Sequence, residues 1–240
     1  LRVGVLKPIA SGAANWRAWA ENDTQDRDQS RFVAARDDGK PGRPDACSDI
    51  AIRQALDAWD DIASACASAN VRLPAQWLNQ YRFAAPIAPH LAAADAGVQI
   101  RLAPIVDAVE RAARAVDWLL IEGVGGFRVP LAGGANPVDT AELARVLGFP
   151  VLLVVGLRLG CINHALLTAE SIGTRGLPFA AWVANTIDPA FERADDTVAT
   201  LEQWLPAPRV GYLAHAPIPD WPLSISQLDL ATLATRVPSV

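Results

Sequence analysis

The sequence predicts an α/β fold: a doubly wound, mostly parallel sheet with helices on both faces. Three observations carry that prediction. Strand-length runs such as "PVLLVVG", "FAAWVAN" and "RVGYLA" are continuously apolar rather than alternating, the pattern of strands covered on both faces. Segments of helical period separate them. A hydrophobic share of 51% over 240 residues supplies core enough for one large α/β domain.

Taken in order, Leu1 to Ile9 reads as a strand rich in Val and Leu, running into Lys7-Pro8 and the small-residue loop Ala10-Ser11-Gly12. Residues 13–47 change character. They are charged and polar, with Gly and Pro near the end, and read as a long mobile surface insertion in a single domain spanning 1–240. Residues 48–69 show helical periodicity in Ile52, Ala55, Leu56, Trp59 and Ile62, with Ser48 as N-cap. A second helix covers "LAPIVDAVERAARAV" (102–116) and feeds "DWLLIEGVGG", an apolar run ending in Glu122 and glycines. A helix follows near "DTAELARVLG", then the strand "PVLLVVG". A helix opens near Cys161 and runs to about Gly173, followed by the strand "FAAWVAN", the helix "ADDTVATLEQWL" and the strand "RVGYLA". Beyond Pro217 the tail is Pro-rich and less regular, and no internal repeat is visible.

Composition narrows the function classes. A net charge of -5 and a pI near 5.2 argue against nucleic acid held on a broad basic surface. The longest apolar run, Val151 to Gly156, is a core-strand length, too short for a membrane span. Cys47, Cys66 and Cys161 show no C-x-x-C spacing, so neither a zinc site nor a disulfide framework is supported, and a cytoplasmic setting is expected. Of 21 basic residues only Lys7 and Lys40 are lysines. A chain this biased towards Arg that keeps Lys7 points to a need for a compact ammonium there.

In a doubly wound sheet, ligands bind beyond the carboxyl ends of the strands. Lys7, Glu122, Arg158 and Asn185 each follow a predicted strand. Glu122 stands before Gly123, Val124, Gly125 and Gly126, where backbone can approach a ligand closely, and Mg2+ favours one or two carboxylates plus phosphate oxygens. An exposed glutamate in a turn reads equally well. Asp49 lies in the first turn of its helix, where the helix dipole alone also favours an acid. Gly160 precedes a helix start whose N–H groups, on Cys161, Ile162 and Asn163, would make an anion site, or merely an ordinary strand-to-helix turn. His90, His164 and His215 support neither a metal cluster nor a Ser-His-Asp triad.

Five segments, "KPIASG", "YRFAAPIAPHLAA", "IEGVGGFRVPL", "PVLLVVGLRLGCINHALLT" and "WVANTIDP", occur in an order that resembles the dethiobiotin synthetases of biotin synthesis. The resemblance runs from Leu1 to about His215, apart from the insertion. It implies a P-loop NTPase-like fold and closure of a cyclic urea on 7,8-diaminononanoate with CO2 (or bicarbonate), ATP and Mg2+. Lys7 would be the catalytic lysine and Ser11 a substrate contact. Asp49 and Glu122 would be the magnesium and ATP carboxylates, with Gly123, Val124 and Gly125 beside the nucleotide. Asn185 would read adenine, with Thr186 next to it, and Ala214, His215 and Ala216 would lie near the nucleotide. Gly160, Cys161, Ile162 and Asn163 would hold the substrate carboxylate for the partner subunit of a homodimer. The family begins with a strand, a P-loop of the form G-T-D-T-x-x-G-K-T and a helix; these are expected ahead of Leu1, whose strand then reads as the second element of the fold. "DDGKPG" is not a substitute, because Pro41 stands where Ser or Thr is required. Two other readings follow from the same residues: a dimeric ligand-binding pseudoenzyme, and a related P-loop amidoligase with another substrate.

Overall fold

The computed structural model describes residues 1–11, 62, 69–134, 137–216 and 225–237. The predicted insertion, Asp49 and all but Ile62 of the helix predicted over 48–69 lie outside the described residues; Ile62 itself is helical. The chain divides into two compact units, Leu1–Thr140 and Ala141–Ser239.

In the first unit the opening segment is not one strand but two. β1 (Val3–Leu6) pairs in parallel with β4 (Trp118–Ile121), Val3 opposite Trp118 and Leu6 opposite Ile121. β2 (Ile9–Ser11) pairs in parallel with β3 (Tyr81–Phe83). The break falls at Lys7-Pro8. Proline lacks an N–H and cannot continue a ladder, while its carbonyl accepts from the N–H groups of both Gln80 and Tyr81 at 3.0 Å. The chain is thereby handed from one partner strand to another within two residues.

β1 is held on both edges. On one side the Asp117 and Trp118 N–H groups donate to the Arg2 carbonyl (2.8 and 3.0 Å). The Arg2 N–H and guanidinium both donate to the Asp117 carboxylate. The Arg2 side chain, more than any other group, holds the Asp117 carboxyl below its ordinary value. On the other side Asn70 accepts from the Val3 N–H at 2.6 Å and donates to the Leu1 carbonyl. Gly4 makes room for this packing: a Cβ there would stand 3.0 Å from Leu73, 3.1 Å from Val116 and 3.3 Å from Leu119.

Two short helices, α1 (Ala75–Leu78) and α2 (Pro89–Asp95), flank β3. α3 (Leu102–Ala113) buries Ile105, Ala108, Val109 and Ala112, the three-and-four spacing of one helical face. It packs on α1 and β4. β5 (Pro130–Ala132) and β6 (Val138–Asp139) pair antiparallel. The Thr140 hydroxyl, buried, accepts from the Val129 N–H and lies within hydrogen-bond reach of the Gly126 and Phe127 carbonyls, closing the loop after Glu122.

α4 (Thr140–Leu147) leads into the second unit, a parallel sheet of order β7-β8-β9: β7 (Val151–Gly156), β8 (Phe179–Asn185) and β9 (Arg209–Leu213). α5 (Cys161–Thr174) and α6 (Ala194–Trp204) are the crossovers. Alternation along β8 sorts its two faces. Trp182 and Ala184 pack with Cys161, Ala165 and Ala169 of α5 and Val198 and Leu201 of α6. Ala181 and Val183 pack on the other face with Val210, Leu228 and Leu233. Leu233 belongs to α7 (Leu230–Arg236), a helix in the tail read from sequence as irregular. Its N-cap, Asp229, accepts from the Thr232 N–H and hydroxyl, which hold its carboxyl below the ordinary value. The strands and helices predicted between 139 and 214 therefore stand, in α/β order.

Candidate active site

Lys7 is set from the backbone outward. Its N–H donates to the Leu78 carbonyl (3.0 Å) and its carbonyl accepts from the Asn79 side-chain amide (2.6 Å). The neighbouring Leu6 carbonyl accepts from the Glu122 N–H at 2.8 Å, so the strand ends carrying Lys7 and Glu122 are tied together. The Lys7 ammonium then donates to Glu122 Oε1 at 2.6 Å and to the Gly123 carbonyl at 3.1 Å. Its side chain is 5% exposed, whereas that of Glu122 is 57% exposed. A buried cation thus faces a carboxylate that opens to solvent. The parallel β1–β4 pairing brings these two residues together across 115 positions of sequence.

Beyond Glu122, Val124 is buried, while a Cβ on Gly123 or Gly126 would meet nothing within 4 Å. The exposed backbone of this turn is open to a ligand. Among the described residues no group of three or more His, Cys, Asp or Glu could enclose a metal. Glu122 alone fits a Mg2+ site of the kind that draws most of its ligands from phosphate and water. Ser11 closes β2, opposite Phe83 of β3.

The remaining predicted site residues lie in the second unit, at the carboxyl ends of its strands. Asn185 ends β8 in register with Gly156 of β7 and Leu213 of β9. The Leu157 N–H donates to the Asn185 carbonyl, and the Thr186 N–H to the Leu213 carbonyl. The Thr186 hydroxyl is buried without a partner among the described residues. Ala214, His215 and Ala216 follow β9 and are exposed, the Ala214 N–H reaching Gln227 Oε1 at 3.3 Å.

Gly160 caps α5 with φ 91°, a left-handed conformation that suits glycine. Here the structure corrects the sequence reading. The Cys161 N–H is not free: it donates to the Arg158 carbonyl at 3.1 Å, closing the turn. Among the described residues, the Ile162 and Asn163 N–H groups of the predicted trio have no backbone partner. Cys161 itself is buried as a free thiol. Asn79 and Gln227, the side chains that hold the backbone of the Lys7 and Ala214 segments, were not singled out from sequence. An isolated amide in a loop carries no periodic signal.

A family model described as an AAA domain matches residues 51–222. ATP-dependent dethiobiotin synthetase BioD of Ralstonia nicotianae is 50% identical over 177 residues, covering 74% of this chain and 76% of that protein. The chain belongs to the dethiobiotin synthetase family. The span matched by the AAA-domain model contains the Glu122 turn, the Gly160 turn and the β8 and β9 strand ends. Among the described residues no helix is long and apolar enough to cross a membrane.

Proposed function

We propose that the protein forms dethiobiotin from 7,8-diaminononanoate, CO2 and ATP, releasing ADP and phosphate. The observation that carries this reading is 50% identity to an ATP-dependent dethiobiotin synthetase across about three quarters of both chains. One substrate amine adds to CO2, losing a proton and leaving a carbamate. A carbamate oxygen attacks the γ-phosphorus of ATP as the bond to ADP breaks. The second amine then attacks the carbonyl carbon of the mixed anhydride, and phosphate departs as the urea ring closes. Such chemistry depends on positioning and charge neutralisation rather than on a protein nucleophile.

In this reading the Lys7 ammonium bridges the carbamate and the γ-phosphate. A compact charge on a flexible stem suits a group serving two anions in turn. Glu122 would hold Mg2+, with Asp49 as the second carboxylate, and the ion would supply charge neutralisation at the phosphate oxygens. Gly123, Val124 and Gly125 lie along the nucleotide, Asn185 and Thr186 take the adenine edge, and the segment Ala214 to Ala216 borders it. Ser11 contacts the diamine. The turn Gly160 to Asn163 takes the substrate carboxylate through the open Ile162 and Asn163 N–H groups. The protein is then a homodimer in which that turn serves the partner, as the family resemblance implies. The reading includes a doubly wound α/β fold and a cytoplasmic setting.

The test is direct. The full-length protein, given the diamine, bicarbonate and Mg-ATP, forms dethiobiotin detectable by mass, and Lys7→Ala abolishes turnover while leaving ATP affinity largely intact. An inert full-length protein beside an active family member sinks the reading.

A further inference from the structure

Given the role proposed above for the segment Ala214 to Ala216, on which this inference rests, we propose that Gln227 is a positioning residue for the nucleotide. The Ala214 N–H, the first of that segment, donates to Gln227 Oε1 at 3.3 Å. The residue just before it is already fixed. The Leu213 carbonyl accepts from the Thr186 N–H at 2.9 Å, which ties the end of β9 to the end of β8. Past Leu213 the three residues of the segment are exposed. Gln227 thereby holds a stretch that otherwise leaves the sheet for solvent.

The amide can act as a hold because its own backbone is anchored. Leu228 forms an isolated antiparallel bridge with Gly211 of β9. Its side chain packs with Ala181, Val183 and Val210. The Asp229 N–H donates to the Val210 carbonyl at 2.6 Å, and the Asp229 carboxylate caps α7. Gln227 stands directly before these anchors, so its side chain reaches Ala214 from a fixed place beside β9. Loss of the contact should loosen the segment without unfolding the protein. Ala214 is exposed, so its N–H turns to water instead of being left buried and unpaired. A nucleotide that meets a loosened segment must order it on binding, and that cost lowers its affinity. The tail read from sequence as irregular then belongs to the nucleotide site, although it need not touch the nucleotide.

The test is made on the full-length protein carrying Gln227→Leu. Mg-ATP is titrated in by calorimetry without the diamine, and steady-state kinetics are compared with those of the wild type. ATP is expected to bind about two- to tenfold more weakly, with its KM raised to match. The diamine KM, the kcat at saturating ATP and the unfolding midpoint should hardly move. Gln227→Glu keeps the length and the accepting oxygen and should restore ATP binding. Gln227→Asn is one carbon shorter and should not. Wild-type ATP affinity in Gln227→Leu overturns the proposal. So does a loss shared by ATP, diamine and unfolding midpoint alike, which is what a merely structural side chain would give. Should Gln227→Leu fail to fold, the contrast between Gln227→Glu and Gln227→Asn decides, and equal ATP affinity in those two overturns the proposal. A wild type that binds ATP, loses affinity on Gln227→Leu and yet forms no dethiobiotin sinks the proposed reaction while upholding the role of Gln227. A wild type that binds no ATP overturns both.

Discussion

The one-sided burial of the Lys7–Glu122 pair makes the two halves unequal in stability, and the inequality can be measured. Glu122→Gln removes the exposed partner's charge from a contact whose other half is an enclosed ammonium. Breaking a fully buried pair in this way costs about 3 to 5 kcal/mol, and breaking a fully exposed one about 0 to 1 kcal/mol. With one partner 5% and the other 57% exposed, Glu122→Gln should lie between, at about 1 to 3 kcal/mol. Lys7→Met is the opposite case. It fills a similar volume with an apolar chain, and the carboxylate left behind is hydrated, so the change should lie within about 1 kcal/mol of zero or be stabilising. Urea unfolding of the full-length protein, followed by tryptophan fluorescence, gives both numbers from the midpoint and slope. A Lys7→Met variant losing more stability than Glu122→Gln refutes the burial argument. The expected pattern also separates function from stability: Lys7, where substitution by Ala is predicted to abolish turnover, is the position where substitution by Met is predicted to cost less in folding than Glu122→Gln.

Three further outcomes follow from the packing. Gly211 lies against Leu228, whose side chain occupies the space a Cβ would need; Gly211→Ala should cost about 1 to 3 kcal/mol by overpacking, seen as a lowered midpoint in the same unfolding curves. Asp117 has a carboxyl held below its ordinary value by Arg2, so its contribution is present at neutral pH and is lost as pH falls through the lowered value; Asp117→Asn should therefore flatten the acid limb of the stability–pH curve below roughly pH 4 and leave the shape near pH 7 unchanged. Gly160→Ala meets no atom within 4 Å, so its cost comes from the left-handed backbone alone, about 1 to 2 kcal/mol, and a thermal midpoint equal to the wild type's would contradict the strain.

The second unit was legible because its elements are long and its strands are continuously apolar. β7, β8 and β9 announce their type by short continuous apolar runs, and α5 and α6 between them by helical period. The first unit was less legible for a physical reason. β2 and β3 are three residues each and α1 is four, too short to show a period. The Lys7-Pro8 break was passed over because Val and Leu on one side and Ile on the other give the same strand signal, while the proline's consequence depends on a partner loop 72 positions away. α7 was hidden by the prolines ahead of it, although Asp229 and Thr232 mark its start. At the candidate site, Lys7 and Glu122 were legible as strand-end residues and by resemblance. That they touch was not, since their contact depends on the β1–β4 register. The occupied Cys161 N–H was likewise a matter of turn geometry, which the letters around Gly160 do not encode.

The parallel pairing of β1 with β4 has a consequence for the order in which the protein is made. Arg2 and Lys7 find their partners 115 residues further on, at Asp117 and Glu122. A ribosome adding about 5 to 20 residues per second needs several seconds or more to cover that distance, and then more for the new segment to clear its exit tunnel. During that interval β1 has its Asn70 edge available but not its β4 edge, and the ammonium of Lys7 has yet to meet Glu122. Contacts this distant in sequence close slowly in any case. The lysine proposed to handle both anions is thus among the first residues of this sequence to be synthesised, yet it meets Glu122 only after 115 further positions have been made.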